Sequence, residues 1–431
     1  MESIWAPGRL RSRWIFVVLI VALAVYAAAS FAIATVNTME RTGGTDLYTY
    51  WRINHFTRVG EDPYKAYLDR AEVELPVRYV DGPVATTRPI AETDEEQKLP
   101  GNSPPMLFLL LPLSYLSWPV AKVVWMIMSV ALVLVTPWLA LRLLPIKLSP
   151  VIWVMMSFGY YGLPGTRAAI VTGQTALIVI ALVFLTFHLV LGKRNLLAGL
   201  ALGIALSKVS VAMPLFIYLL YKRNWVALAV GVGVQTAGFI AMAFVRGGSP
   251  VQVFVDFASI AGAHARLTGI HLTGLFHPGT PVSIVVGVIF SLAVLLPLWR
   301  YAAKVEDKGP KSELRDFMVF AVLGLWGLLG VYHRAYDIGM ALPAIVLLLY
   351  GVSSRCAWNA WGLTQRQSIV LFLTGVFFIS LPVRFVEDAI GVWWESFAVG
   401  SITVVLLVLL AASLSQVRQL GRTGPRAPLR R

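Results

Sequence analysis

A chain of 431 residues with 58% apolar and only 13% charged side chains carries more apolar surface than one soluble core can hide. The net charge of +14 invites a nucleic-acid reading, but the basic residues fall in short clusters between apolar runs, which excludes it. A single cysteine, Cys356, leaves no intramolecular disulfide.

The apolar runs are about 20 residues long, enough to cross a hydrocarbon layer of ~30 Å. Backbone in lipid must pair internally, so each run is expected to be a helix; a barrel would show alternating ten-residue strands. The basic clusters then sort the loops. Arg9, Arg11 and Arg13 precede the first run; Lys193 and Arg194, Lys222 and Arg223, and Arg300 to Arg315 follow later ones; Arg418 to Arg431 close the chain. Cytoplasmic loops collect such charge, so both termini (residues 1–13 and 416–431) are expected inside, flanking one membrane domain over 14–415.

Trp14–Val36 is too long for a typical signal core and reads as a retained first span. The segment 37–103 holds 12 of the 22 acidic residues and is expected outside. Its part 45–58 reads as a short helix along the membrane surface, capped by Thr45, with Trp51 and Phe56 on its apolar side. Asn102-Ser103-Pro104-Pro105 re-enters the membrane, and Met106–Ser117 with Pro119–Leu143 forms a hairpin. Ser149–Leu163, bounded by Pro150, Pro164 and Gly165, is expected to be partial or re-entrant. Thr175–Leu191 spans to the Lys193-Arg194 loop. Leu196–Tyr221 starts and ends at basic loops, so its 26 residues suffice only for two half-length helices, with Lys208 and Pro214 near the middle. Trp225–Val245 returns outward to a second external segment, 250–278. Pro281–Leu298, Asp316–Val331, Ile338–Gly351, Ile369–Leu381 and Phe397–Leu414 complete an all-α polytopic bundle of about 12 membrane segments, several of them short or re-entrant. No internal repeat is visible, which argues against a symmetric transporter.

Charges at membrane depth are costly and therefore candidates for function. Asp46, Lys208, Arg246, His333, Arg334 and Asp337 qualify, most of them near the outer face. Asp46 could simply favour the dipole of the helix it opens, at ~0.3–1 kcal/mol, or serve as a general base at the edge of an apolar chamber. Tyr332 and Tyr336 fit an interfacial belt; a His, an Arg and an Asp within five residues fit it less well, and His and Arg suit phosphate oxygens. Lys208 could snorkel, or hold an anion at a broken helix pair. Gln174 could cap a helix or face a cavity. His264, His271 and His277 are spaced by 7 and 6, which matches no helical ligand pattern, and neither His-Glu-x-x-His nor Asp-x-Asp occurs. No metal and no cofactor is expected, nor a soluble nucleotide-sugar fold.

Several segments, in this order, resemble glycosyltransferase family 87, polytopic enzymes of GT-C type that transfer mannose or arabinofuranose. They are Gly44-Thr45-Asp46-Leu47-Tyr48-Thr49-Tyr50, Glu61-Asp62-Pro63-Tyr64, Asn102-Ser103-Pro104-Pro105 leading to Leu110-Leu111-Pro112-Leu113, Ala121 to Trp125, Gly173-Gln174, and Gly199–Tyr221 followed by Arg223-Asn224-Trp225. The family often has Asp-Phe where this chain has Asp46-Leu47, and Tyr-Pro-Pro where it has Ser103-Pro104-Pro105.

The resemblance implies a GT-C-like membrane fold and a polyprenyl-phosphate sugar donor, mannose first and arabinofuranose second. It implies a glycolipid or envelope glycan as acceptor, and an active site on the outer face of the inner (plasma) membrane. Asp46 takes the role of catalytic base in an inverting displacement. Lys208, His333 and Arg334 become candidates for the donor phosphate, and Tyr50, Asn102, Gln174, Arg246, His264 and Asp337 for contact with substrate. A lipid or glycan flippase and a non-catalytic scaffold are the competing readings. Beyond substrates, the bilayer is the only partner implied.

Overall fold

The computed structural model describes residues 25–26, 28–29, 31–36, 38–39, 45–60, 62–64, 102–143, 150–264, 280–303, 310–330 and 335–346, and every element among them is helical. The expected spans 369–381 and 397–414, both terminal tails, His333 and Arg334 lie outside the described residues.

Helix α1, Thr45–Val59, has nearly the bounds expected and packs closely against the bundle. Leu47, Tyr50, Ile53 and Phe56 are buried, and so are the polar Asp46, Asn54 and Thr57. The expected one-sided amphipathic helix is covered on more than one side because three neighbours pack on it. One is helix α2, Pro104–Leu110, with its 3-10 continuation Leu111–Tyr115. Trp51 Nε1 donates to the Leu116 carbonyl at 3.1 Å, and Arg58 to the Ser114 carbonyl at 3.0 Å. The other neighbours are α3, Trp118–Arg142, and α5, Pro164–Thr172. The first arm of the expected hairpin is thus half-length: Pro112 has no N–H to continue an α-helix, and twelve residues rise only about 18 Å.

Helix α4, Pro150–Gly162, is the short aromatic piece expected. Helix α5 was not expected, since Pro164 and Gly165 read only as breakers; Pro164 in fact occupies the first turn, where its missing N–H costs nothing. At Gly173 the chain turns through 120° into α6, Ala176–Leu191. Gly173 has φ +79°, a left-handed conformation, and a Cβ there would overlap Leu47 Cβ and come within 2.8 Å of the Leu47 backbone nitrogen. The elbow is therefore pressed against the first turn of α1, which carries Asp46. We expect Gly173→Ala to cost about 1–2 kcal/mol in backbone strain plus about 1–3 kcal/mol in overpacking. Thermal unfolding in detergent measures this, with Gly233→Ala, where a Cβ would meet nothing, as the unaffected control.

Among the described residues, four stretches are long and apolar enough to cross a membrane: α3, Asn195–Tyr221, α9 (Trp225–Arg246) and most of α11 (Pro281–Ala303). The second does not run straight. It comprises α7, Asn195–Ala205, a 3-10 turn over Leu206–Lys208, and α8, Val209–Tyr221. Asn224, just past its end, donates to the side chain of Asn195, at its start, at 2.9 Å. A straight helix of that length would hold these ends about 40 Å apart. The stretch is therefore a re-entrant hairpin of two half-length arms, and both basic loops lie at one end of the bundle. Gly199 and Gly203 of α7 pack closely on Val230 and Val234 of α9, so the first arm runs parallel to α9. Lys208, at φ −120° and ψ 81°, is the break between the arms.

Helix α10, Pro250–His264, follows α9. Helix α12, Pro310–Gly330, is buried over most of its length and forms the core with α6 and α8 through Phe184, Phe187, Tyr218 and Phe320. A 3-10 turn, Ala335–Ala341, packs against α5, α6 and α12.

Candidate functional site

Polar side chains collect where helices start, stop or break, because there the backbone leaves room and hydrogen-bonding groups that an unbroken membrane helix lacks. Asp46 sits in the first turn of α1, with only 8% of its surface exposed. Gln174, at the α5–α6 elbow, donates through Nε2 to Asp46 Oδ2 at 2.6 Å. The next residue, Thr175, accepts from Asn102 Nδ2 at 3.1 Å, and the Asn102 carbonyl accepts from the Tyr64 hydroxyl at 2.8 Å. Tyr50 lies one turn after Asp46, buried beside Thr175 and Asn102. Burial first, and the Asp46 carboxylate second, push its hydroxyl far above the ordinary tyrosine value, so it stays neutral.

The second half of the cluster is the hairpin apex. Ser103 holds it twice: its N–H donates to the Ser207 carbonyl at 3.1 Å, and its hydroxyl donates to Gln235 Oε1 at 2.6 Å. Gln235 in turn donates to the Gly203 carbonyl in the apex-bearing arm. Lys208 Nζ forms an ion pair with Asp337 Oδ1 at 2.6 Å. Ser103 follows Asn102 and Ser207 precedes Lys208, so the Ser103–Ser207 hydrogen bond joins both halves in one neighbourhood.

Asp46, Tyr50, Asn102, Gln174, Lys208 and Asp337 thus converge. Arg246, expected to meet substrate, stands in a clasp of its own: it pairs with Asp62 at 3.1 Å and Asp256 at 2.8 Å, and Gln252 also donates to Asp256. Asp62 accepts from the Tyr64 backbone at 3.0 Å, so the clasp fixes the Tyr64 that holds Asn102. His264 ends α10, but its side chain is not among those described. Among the described residues, no three His, Cys, Asp or Glu side chains gather as a metal-binding group.

Sequence reasoning assigned no role to Asp62, Tyr64, Ser103, Thr175, Ser207 and Gln235. Asp62, Tyr64 and Ser103 lay inside the quoted family segments; nothing marked Gln235, a single amide in an apolar helix, apart from the cost of placing one there. Lys122 also escaped notice: it is buried in α3, donates to the Met39 carbonyl at 3.1 Å and lies over the Trp118 ring.

A helical membrane protein whose buried carboxylate, amides and lysine meet at helix breaks has the makings of a membrane-embedded enzyme. The model of glycosyltransferase family 87 matches residues 102–329, from the approach to α2 through most of α12, and the chain belongs to that family. It is therefore a membrane glycosyltransferase. No curated protein matches the chain. Asn102, Gln174, Lys208, Arg246 and His264 fall inside the matched residues; Asp46, Tyr50, His333, Arg334 and Asp337 fall outside them.

Proposed function

We propose that this glycosyltransferase moves a sugar, mannose first, from a polyprenyl-phosphate donor to an envelope glycolipid or glycan on the outer face of the plasma membrane. The observation that carries the reading is the buried Asp46 carboxylate, oriented by the Gln174 amide at 2.6 Å. Asp46 takes the proton of an acceptor hydroxyl as that oxygen bonds to the anomeric carbon. The bond from that carbon to the phosphate oxygen breaks, its electron pair stays on the oxygen, and polyprenyl phosphate leaves. One displacement inverts the anomeric centre. Lys208 stabilises the phosphate, with His333 and Arg334, close to Asp337 in sequence, as further donors. Tyr50 and Asn102 line the sugar's side, Asp337 contacts the substrate beside Lys208, and Arg246 acts through the loop it clasps.

The donor's lipid has a place in this reading. An apolar groove of about 760 Å³ runs between α8, the arm leading away from Lys208, and α9, lined by Leu220, Trp225, Leu228, Val232 and Ile240. An isoprenoid chain whose phosphate sits at the apex would follow that arm into the groove.

The test is transfer by purified protein. Radiolabelled polyprenyl-phosphate mannose, and in parallel arabinofuranose, is offered with crude membrane acceptor. We expect label to pass to the acceptor and polyprenyl phosphate to be released. Movement of intact donor across a proteoliposome bilayer, with no covalent change, would replace the reading with a flippase.

A further inference from the structure

A lysine that only had to neutralise a phosphate would be best left among neutral groups. Lys208 instead has a carboxylate 2.6 Å away, and that carboxylate is 2% exposed. Asp337 cannot easily swing aside. Its 3-10 turn is wedged against α4 and α6, where a Cβ on the nearby Gly339 would come within 2.8 Å of Ile180 and 3.0 Å of the Tyr160 hydroxyl. The pair is net neutral, so the carboxylate offsets much of the attraction Lys208 offers an anion.

The reaction changes the charge of the bound lipid. The donor phosphate is a diester with one negative charge; the product is a monoester, which near neutral pH carries about −1.5 to −2. Around Lys208 and Asp337 the net charge thus grows from about −1 with donor to nearly −2 with product. Repulsion from a fixed carboxylate acts on both ligands but more strongly on the second. We infer that Asp337 discriminates against the spent lipid phosphate and drives its release, which rests on the reading that Lys208 holds the donor phosphate. Without it, Lys208 would bind the more charged product more tightly than the substrate, and turnover would stall.

The test uses the full chain in detergent at pH 8, with two probes: farnesyl phosphate, a monoester, and its methyl diester. Wild type is expected to bind the monoester no tighter than the diester. Asp337→Asn should raise monoester affinity relative to diester by about tenfold or more, and end-product inhibition should deepen in parallel. Asp337→Glu, which keeps the charge, should retain the wild-type ratio, and it decides the matter together with wild type if the Asn variant does not fold. Lys208→Gln should weaken both probes. A wild type that prefers the monoester tenfold, or an Asp337→Asn that leaves the ratio unchanged while Lys208→Gln weakens both probes, overturns the inference alone. If Lys208→Gln leaves both affinities unchanged, the phosphate reading falls and the inference with it.

Discussion

Asp46→Asn will abolish measurable sugar transfer, a loss of about 10²–10⁴-fold or more, in a protein that remains folded. Asparagine has the same shape, and its carbonyl oxygen can still accept the Gln174 amide that now donates to Oδ2. The three atoms closest to a Cβ at Gly173 all belong to Leu47, so that packing should be retained. The stability cost should be near the ~0.3–1 kcal/mol of a lost helix-dipole interaction. What asparagine cannot do is take a proton. Transfer of label and thermal unfolding in detergent, measured on the same preparation, separate the two effects. Turnover near the wild-type level would remove Asp46 from the chemistry and leave it as a first-turn acid that favours the helix dipole.

Where sequence and structure agree, the property was local. Thr45 and Asp46 mark the start of α1, Pro150 that of α4, and 26 residues between two basic loops leave room only for a hairpin with Lys208 near its tip. The α5 helix was missed because Pro164-Gly165 signals a break as readily as a first turn; the extended Leu163 with Pro164 opening the helix behind it shows that it is both. Pairings across the chain were not legible at all. Gln174 and Asp46 are 128 residues apart, Lys208 and Asp337 129, and periodicity carries no information at that range. Arg246 shows the consequence. By position it was a membrane-edge cation suited to substrate, but Asp62 and Asp256 already engage it. The burial of α1 was hidden for a related reason: Asn54 and Thr57 are buried in a helix packed by elements more than forty residues away in sequence, which residues 45–58 alone do not reveal.

The Lys208–Asp337 pair allows structure and chemistry to be separated by a mutant cycle. Lys208→Met alone should cost about 3–5 kcal/mol, because a buried carboxylate loses its cation. Replacing both residues, as Lys208→Met with Asp337→Leu, should recover most of that loss, since a buried ion pair exchanged for apolar side chains of similar volume is often neutral. Denaturation in detergent of the two single variants and the double variant measures the coupling. Transfer activity should not follow stability. The double variant has its apex rebuilt but has lost the lysine charge that meets the phosphate there, so its transfer should stay far below wild type despite folding well. If turnover returned with stability, the lysine would be a structural pin for the hairpin and the phosphate would have to be met elsewhere. If only the fold returned, the charge at the apex would belong to the reaction.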